Sequence, residues 1–128
     1  MTGACLLVGA TALTLASGGF DLTWRHSVER TEWRESWRVA DGVLRLTEAA
    51  VKGSGAGMDP GPGARLEDGW WVWTPGLAPV PDLTLAASGA TGGGWRLCDG
   101  AACRDLGAEP GAAIRLAPCE GRDHATGP

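Results

Sequence analysis

The chain has no basic run, no tyrosine and no apolar stretch long enough to cross a membrane. One lysine, Lys52, stands beside ten arginines, and fifteen acidic residues leave a net charge of -4. An acidic protein without a basic patch is a poor nucleic-acid binder, so nucleic acid is excluded as an expected partner. A spanning helix needs roughly 20 apolar residues. The most apolar run, Ala4 to Ala16, is shorter than that and has no Lys or Arg before it, as the basic start of a secretory leader would require. No segment repeats apolar residues at helical spacing between caps, so almost no helix is expected. Nucleophile and phosphate motifs are missing too. Ser27 adjoins His26, but neighbours on a strand point to opposite faces, so they cannot form a catalytic pair. The GSGAG at 53–57 runs into MDPGPG, which no helix can follow, and that removes both a dinucleotide turn and a P-loop. No cofactor is expected.

What is present is β-structure centred on residues 24–48, WRHSVERTEWRESWRVADGVLRLTE. Asp41-Gly42 between two alternating runs is a two-residue hairpin signal. It pairs Ala40 with Val43, Val39 with Leu44, Trp37 with Leu46 and Glu35 with Glu48. A turn at Glu29 to Glu32 then pairs Trp24 with Trp37 and His26 with Glu35. The expected outcome is a row, His26, Glu35, Glu48, on the tryptophan-bearing face. Two like charges facing each other on a sheet need a shared proton, a cation, a metal or a ligand between them. The row therefore reads as a register-fixing polar network, a ligand or partner site, a metal site or an acid/base pair. It holds only in that register.

Seven tryptophans dominate the aromatic content. In WWVWT at 70–74, Trp71 and Trp73 should point one way and Trp70 and Val72 the other. One set then enters the core and the other faces a surface or second interface. Residues 51–65 form a glycine- and proline-rich loop whose three glycines in GSGAG let backbone approach an anion or a partner closely, which makes Ser54, Gly55, Gly57 and Met58 candidate contact residues. Short strands follow at 83–87, 95–98, 103–106 and 113–117. The fold expected is all-β, a small antiparallel barrel or sandwich of about eight short strands. One domain spans 1–128, with 1–20 a first strand or hairpin or else a leader, and 119–128 a flexible tail. Cys98 and Cys103 flank a hairpin loop and suit a disulfide, and Cys5 with Cys119 could staple the two ends of the chain. Free thiols, or a zinc site of Cys98, Cys103, Cys119 and His124, are the rival readings. Disulfides would place the protein in an oxidising, extracytoplasmic compartment such as a periplasm.

HSVERTEW at 26–33, Glu35, Glu48, GSGAGM at 53–58 and ARLEDGWWVWTP at 64–75 together resemble the small bacterial family DUF1850. The resemblance runs from roughly Cys5 to Cys119. It implies a protein of unknown function, from a family whose members are commonly found alongside TRAP transporters of the TAXI type. By that association the expected partner is a TAXI-type permease or its periplasmic solute-binding protein. On this reading the protein is a non-enzymatic accessory domain. The sites singled out for a partner or ligand are His26, Glu35, Glu48, the 54–58 loop, Trp71 and Trp73. A small-ligand or metal-binding barrel built on the His-Glu-Glu row is the alternative.

Overall fold

A computed structural model describes residues 4–26, 31–52, 63–86, 94–100, 102–107 and 111–119. These form eleven strands and no helix. In chain order they are β1 Ala4–Val8, β2 Thr11–Leu15, β3 Gly19–His26, β4 Thr31–Ala40, β5 Val43–Lys52 and β6 Arg65–Glu67. They continue with β7 Trp70–Trp73, β8 Leu83–Leu85, β9 Trp95–Asp99, β10 Ala102–Leu106 and β11 Ile114–Pro118. The eleven exceed the expected eight in part because the first apolar run is a two-strand hairpin and Arg65–Glu67 pairs with the tryptophan strand.

The strands build two antiparallel sheets, one in the order β2-β1-β11-β8 and the other β10-β9-β3-β4-β5-β7-β6. Neither sheet closes on itself, so the architecture is a sandwich rather than a barrel. Side chains of alternate residues meet between the sheets. Leu6 and Leu15 from the first hairpin, Leu116 and Leu85 from the small sheet, and Phe20, Leu22, Trp37, Leu44 and Leu97 from the large one share a single core.

Turn chemistry sets the hairpins. Asp41-Gly42 has φ of 57° and 75°, and Asp68-Gly69 has 52° and 87°, so each dipeptide supplies the two positive φ values of a type I′ turn. The β9–β10 pairing runs through to Asp99 opposite Ala102, which narrows the expected four-residue connection to two residues.

Two registers differ from expectation. In β3–β4, Phe20 stands opposite Trp37, Leu22 opposite Glu35, Trp24 opposite Trp33 and His26 opposite Thr31. The expected register would have put Phe20 opposite Asp41, in a turn. The observed one buries Phe20 and Trp37, 3% and 6% exposed, against each other in the core. In β4–β5 the pairing is as expected from Ala40 to Trp37, then shifts so that Ser36, not Glu35, opposes Glu48. Thr47 is the extra residue of this bulge, and its Oγ1 donates to the Ser36 carbonyl at 3.0 Å. Beyond it the apolar phase of β5 moves from Leu44 and Leu46 to Ala49 and Val51. The bulge thus keeps Glu48 and Lys52 off the face that carries the tryptophans.

Candidate functional site

Antiparallel partners share a face, so the registers can be read across the large sheet. Leu106 of β10 stands opposite Trp95 of β9, and Trp24 of β3 falls next to Trp95, one pair beyond Thr23 opposite Arg96. Trp24 opposes Trp33 of β4, Trp33 opposes Val51 of β5, Val51 opposes Trp71 of β7, and Trp71 opposes Leu66 of β6. One apolar row therefore runs the full width of seven strands, on the face that further along holds the core. The rings of Trp24 and Trp33 stack with centroids 6.2 Å apart and planes 10° from parallel, and Trp95 tilts onto Trp24 at 4.9 Å. The Trp95 indole donates to the Ala86 carbonyl at 3.0 Å. Trp95 and Leu106 still pack against the core, whereas Trp24, Trp33, Trp71 and Trp73 lie outside it. These tryptophans are half-buried, and Leu66 at the row's end is 59% exposed.

The neighbouring row holds Leu97, Leu22, Glu35, Ala49 and Trp73. Glu35 is its acid. The Trp37 indole donates to Glu35 Oε1 at 3.0 Å, two residues along the same strand. Burial among apolar neighbours pushes the Glu35 carboxyl above the usual 4.5, and the indole hydrogen bond opposes that in part. Glu35 sits in no ion pair among the described residues.

The outer face of the same strands is chemically different. Arg34 lies 4.7 Å over the ring of Trp70, and its Nη2 is 3.9 Å from Glu48. Arg65 reaches the other Glu48 oxygen at 3.8 Å, and Lys52 is 5.8 Å from the Trp70 ring. These groups flank Ala50 and Val72, which are 0% and 1% exposed. A groove of about 240 Å³ opens further along this face, lined by Ser17, Asp21, Ser36, Arg38 and Thr47. Glu35 does not line it.

The expected row of His26, Glu35 and Glu48 is not assembled. Glu48 is turned to the outer face by the Thr47 bulge, where Arg34 and Arg65 compensate it. His26 lies four residues beyond Leu22, the partner of Glu35, or about 13 Å along the strand. No three His, Cys, Asp or Glu among the described residues could hold a metal ion. The ligand or metal reading built on that row is therefore withdrawn. Ser54, Gly55, Gly57, Met58 and His124 lie outside the described residues. Trp71 and Trp73 do share one face, opposite to Trp70 and Val72, as the alternation predicts. Neither set is fully buried, which differs from a core set and a surface set. Trp24, Trp33 and Trp95 were missed as part of the site. Phe20 was a partial signal, because placing it in the core rules out the expected register, and the observed one brings Trp24 against Trp33.

Both disulfides form. Cys98 and Cys103 face each other directly across β9 and β10 with Cα atoms 4.1 Å apart. Cys5 and Cys119 join at a Cα separation of 5.2 Å, beside a hydrogen bond from the Cys119 amide to the Cys5 carbonyl. The zinc and free-thiol readings fall with that pairing, since Cys98, Cys103 and Cys119 are all bonded to other cysteines.

The fold and the site define a disulfide-bonded β-sandwich with an aromatic face on its larger sheet. The chain belongs to the DUF1850 family, described as a domain of unknown function, whose family model matches residues 20–106. That match spans all seven strands of the large sheet, β3 to β7, β9 and β10, and so carries the whole tryptophan face. No curated protein and no solved structure matches the chain.

Proposed function

We propose that this protein is a non-enzymatic extracytoplasmic binding domain that docks a protein partner through the tryptophan face of its large sheet. The observation that carries the reading is the unbroken apolar row from Leu106 to Leu66, four of whose members are half-buried tryptophans. Partly exposed tryptophans in a contiguous patch are the usual anchors of protein interfaces. The two disulfides fit an oxidising compartment. Among the described residues no helix is long and apolar enough to cross a membrane.

The partner to test first is the one the family resemblance implies, a TAXI-type TRAP permease or its solute-binding protein. Tagged protein is purified from its native bacterium after gentle membrane solubilisation, and co-purifying proteins are identified by mass spectrometry. Enrichment of a transporter subunit that is lost in Trp71→Ala supports docking through this face. Losing one interfacial tryptophan anchor costs about 2 kcal/mol or more, roughly 30-fold in affinity. Absence of both subunits, or enrichment that Trp71→Ala leaves unchanged, removes the reading.

A further inference from the structure

On the tryptophan half of this face Glu35 stands apart. Its flanking partners are Leu22 and Ala49, and its strand neighbours on the same face are Trp33 and Trp37. The nearest cation in its row is Arg104, three strands away and about 14 Å by strand spacing. One oxygen accepts the Trp37 indole N–H and no lysine or arginine among the described residues pairs with the carboxylate. A partly buried carboxylate costs free energy unless a cation or hydrogen bonds compensate it.

The opposite face of the same strands shows what a compensated version looks like. There Glu48 has Arg34 at 3.9 Å, and Arg34 lies 4.7 Å over Trp70. Carboxylate, aromatic ring and guanidinium are all supplied by one chain. Among the described residues the tryptophan face supplies the carboxylate and the rings but brings no guanidinium to Glu35, since Arg104 stands three strands away. Ala49 separates Glu35 from Trp73, and this position contributes only a methyl group between a carboxylate and an indole. The two strand spacings amount to about 10 Å.

We infer that Glu35 and the tryptophans around it receive an arginine side chain from the docked protein, its guanidinium stacked on an indole and paired with the Glu35 carboxylate. Charge complementarity selects a cation, and the planar, weakly hydrated guanidinium suits an aromatic wall and a carboxylate together better than an ammonium does. The inference rests on the docking reading and names the chemistry of its partner. Burial of the Glu35 carboxyl supports it, since a cation delivered by the partner would offset the cost of ionising a desolvated acid.

The probe is N-acetyl-arginine amide, titrated into the full chain while the indole N–H resonances are followed by NMR. N-acetyl-citrulline amide serves as the uncharged isostere. The expected result is a saturable shift of the Trp33 and Trp37 indole signals with arginine, and at least tenfold weaker binding with citrulline. Glu35→Gln, whose amide oxygen can still accept the Trp37 N–H, should weaken arginine binding at least tenfold, and Trp73→Leu several-fold. Glu48→Gln, on the outer face, should bind as the parent does. No saturable response in the parent, an equal response to citrulline, or full binding in both Glu35→Gln and Trp73→Leu overturns the inference. Partner capture is read in parallel. Capture lost in Trp71→Ala but kept in Glu35→Gln overturns the arginine contact and leaves docking standing. A Glu35-dependent arginine response with no transporter subunit captured upholds the chemistry of the site and removes the proposed partner.

Discussion

Glu35 carries a cost that depends on pH. Its carboxyl titrates above the usual 4.5 in the folded chain because burial disfavours the charge, so the native state keeps a proton that the unfolded state has already released. Stability therefore falls as pH rises from about 4.5 through the raised folded value, and the penalty persists above it. Glu35→Gln should remove that decline. Thermal midpoints of parent and variant should agree below the window and separate above it, with the variant higher. The Trp37 indole hydrogen bond works the other way, favouring the ionised carboxylate. Trp37→Phe should then move the Glu35 titration further up, which carboxyl NMR would follow. A downward movement would mean that the hydrogen bond does not hold the charge. Phe20 contributes through packing. At 3% exposure its replacement by alanine should cost about 3–5 kcal/mol in chemical denaturation.

Among the elements, β5 carries the bulge that sets which face its later residues take. With Thr47 removed, Leu46, Glu48 and Ala49 would be consecutive, and a regular ladder would still oppose Trp37, Ser36 and Glu35. Deleting Thr47 should therefore leave both faces of β5 in place and cost only the hydrogen bond to Ser36 and some twist, about 1–2 kcal/mol. Deleting Arg45 instead makes Leu44 and Leu46 adjacent and sends one of them out of the core, so that variant should not fold. Equal stability of the two deletions by circular dichroism would contradict the bulge assignment. Glycines in the turns and strands separate in a similar way. A Cβ on Gly42 meets nothing within 4 Å, so Gly42→Ala should cost only its positive φ, about 1 kcal/mol. On Gly19 it would sit 2.5 Å from the Trp37 carbonyl oxygen, so Gly19→Ala must displace β4 and should cost more. The hairpin at Asp41-Gly42 was legible because a dipeptide with a known turn type sets the pairing beside it. The β3–β4 register was not, because a longer connection permits several offsets that keep the same side chains on the same face.

At the scale of the whole molecule, the two sheets are held together by a shared core, and one long-range disulfide staples β1 to the end of β11 within the smaller sheet. Cys5–Cys119 spans a sequence separation of 114 and Cys98–Cys103 one of 5. On the loop-entropy model the first contributes about 4–5 kcal/mol and the second about 2 kcal/mol. Replacing Cys5 and Cys119 by serine should lower the denaturation midpoint about twice as far as replacing Cys98 and Cys103. A reversed order would show that the terminal strands hold the sandwich without their staple.

By itself the amino-acid sequence determined the all-β class, the Asp41-Gly42 hairpin turn and the opposite facing of Trp71 and Trp70, and it offered the two cysteine pairs beside free-thiol and zinc readings. The class, the turn and the tryptophan facing depend on local periodicity or on residues close along a hairpin, as does the Cys98–Cys103 pair, whereas the Cys5–Cys119 link joins residues 114 apart and was settled only by the fold. Only the tertiary structure decided that Glu35 and Glu48 point to opposite faces and that Trp24, Trp33, Trp95 and Trp71 form one row. Those relations depend on strand offsets, and offsets are selected by which side chains the second sheet can bury. Phe20 and Trp37 had to meet Leu6, Leu15 and Leu116 in the core. That requirement placed Trp24, Trp33 and Trp71 beyond the core, half-buried along the same face.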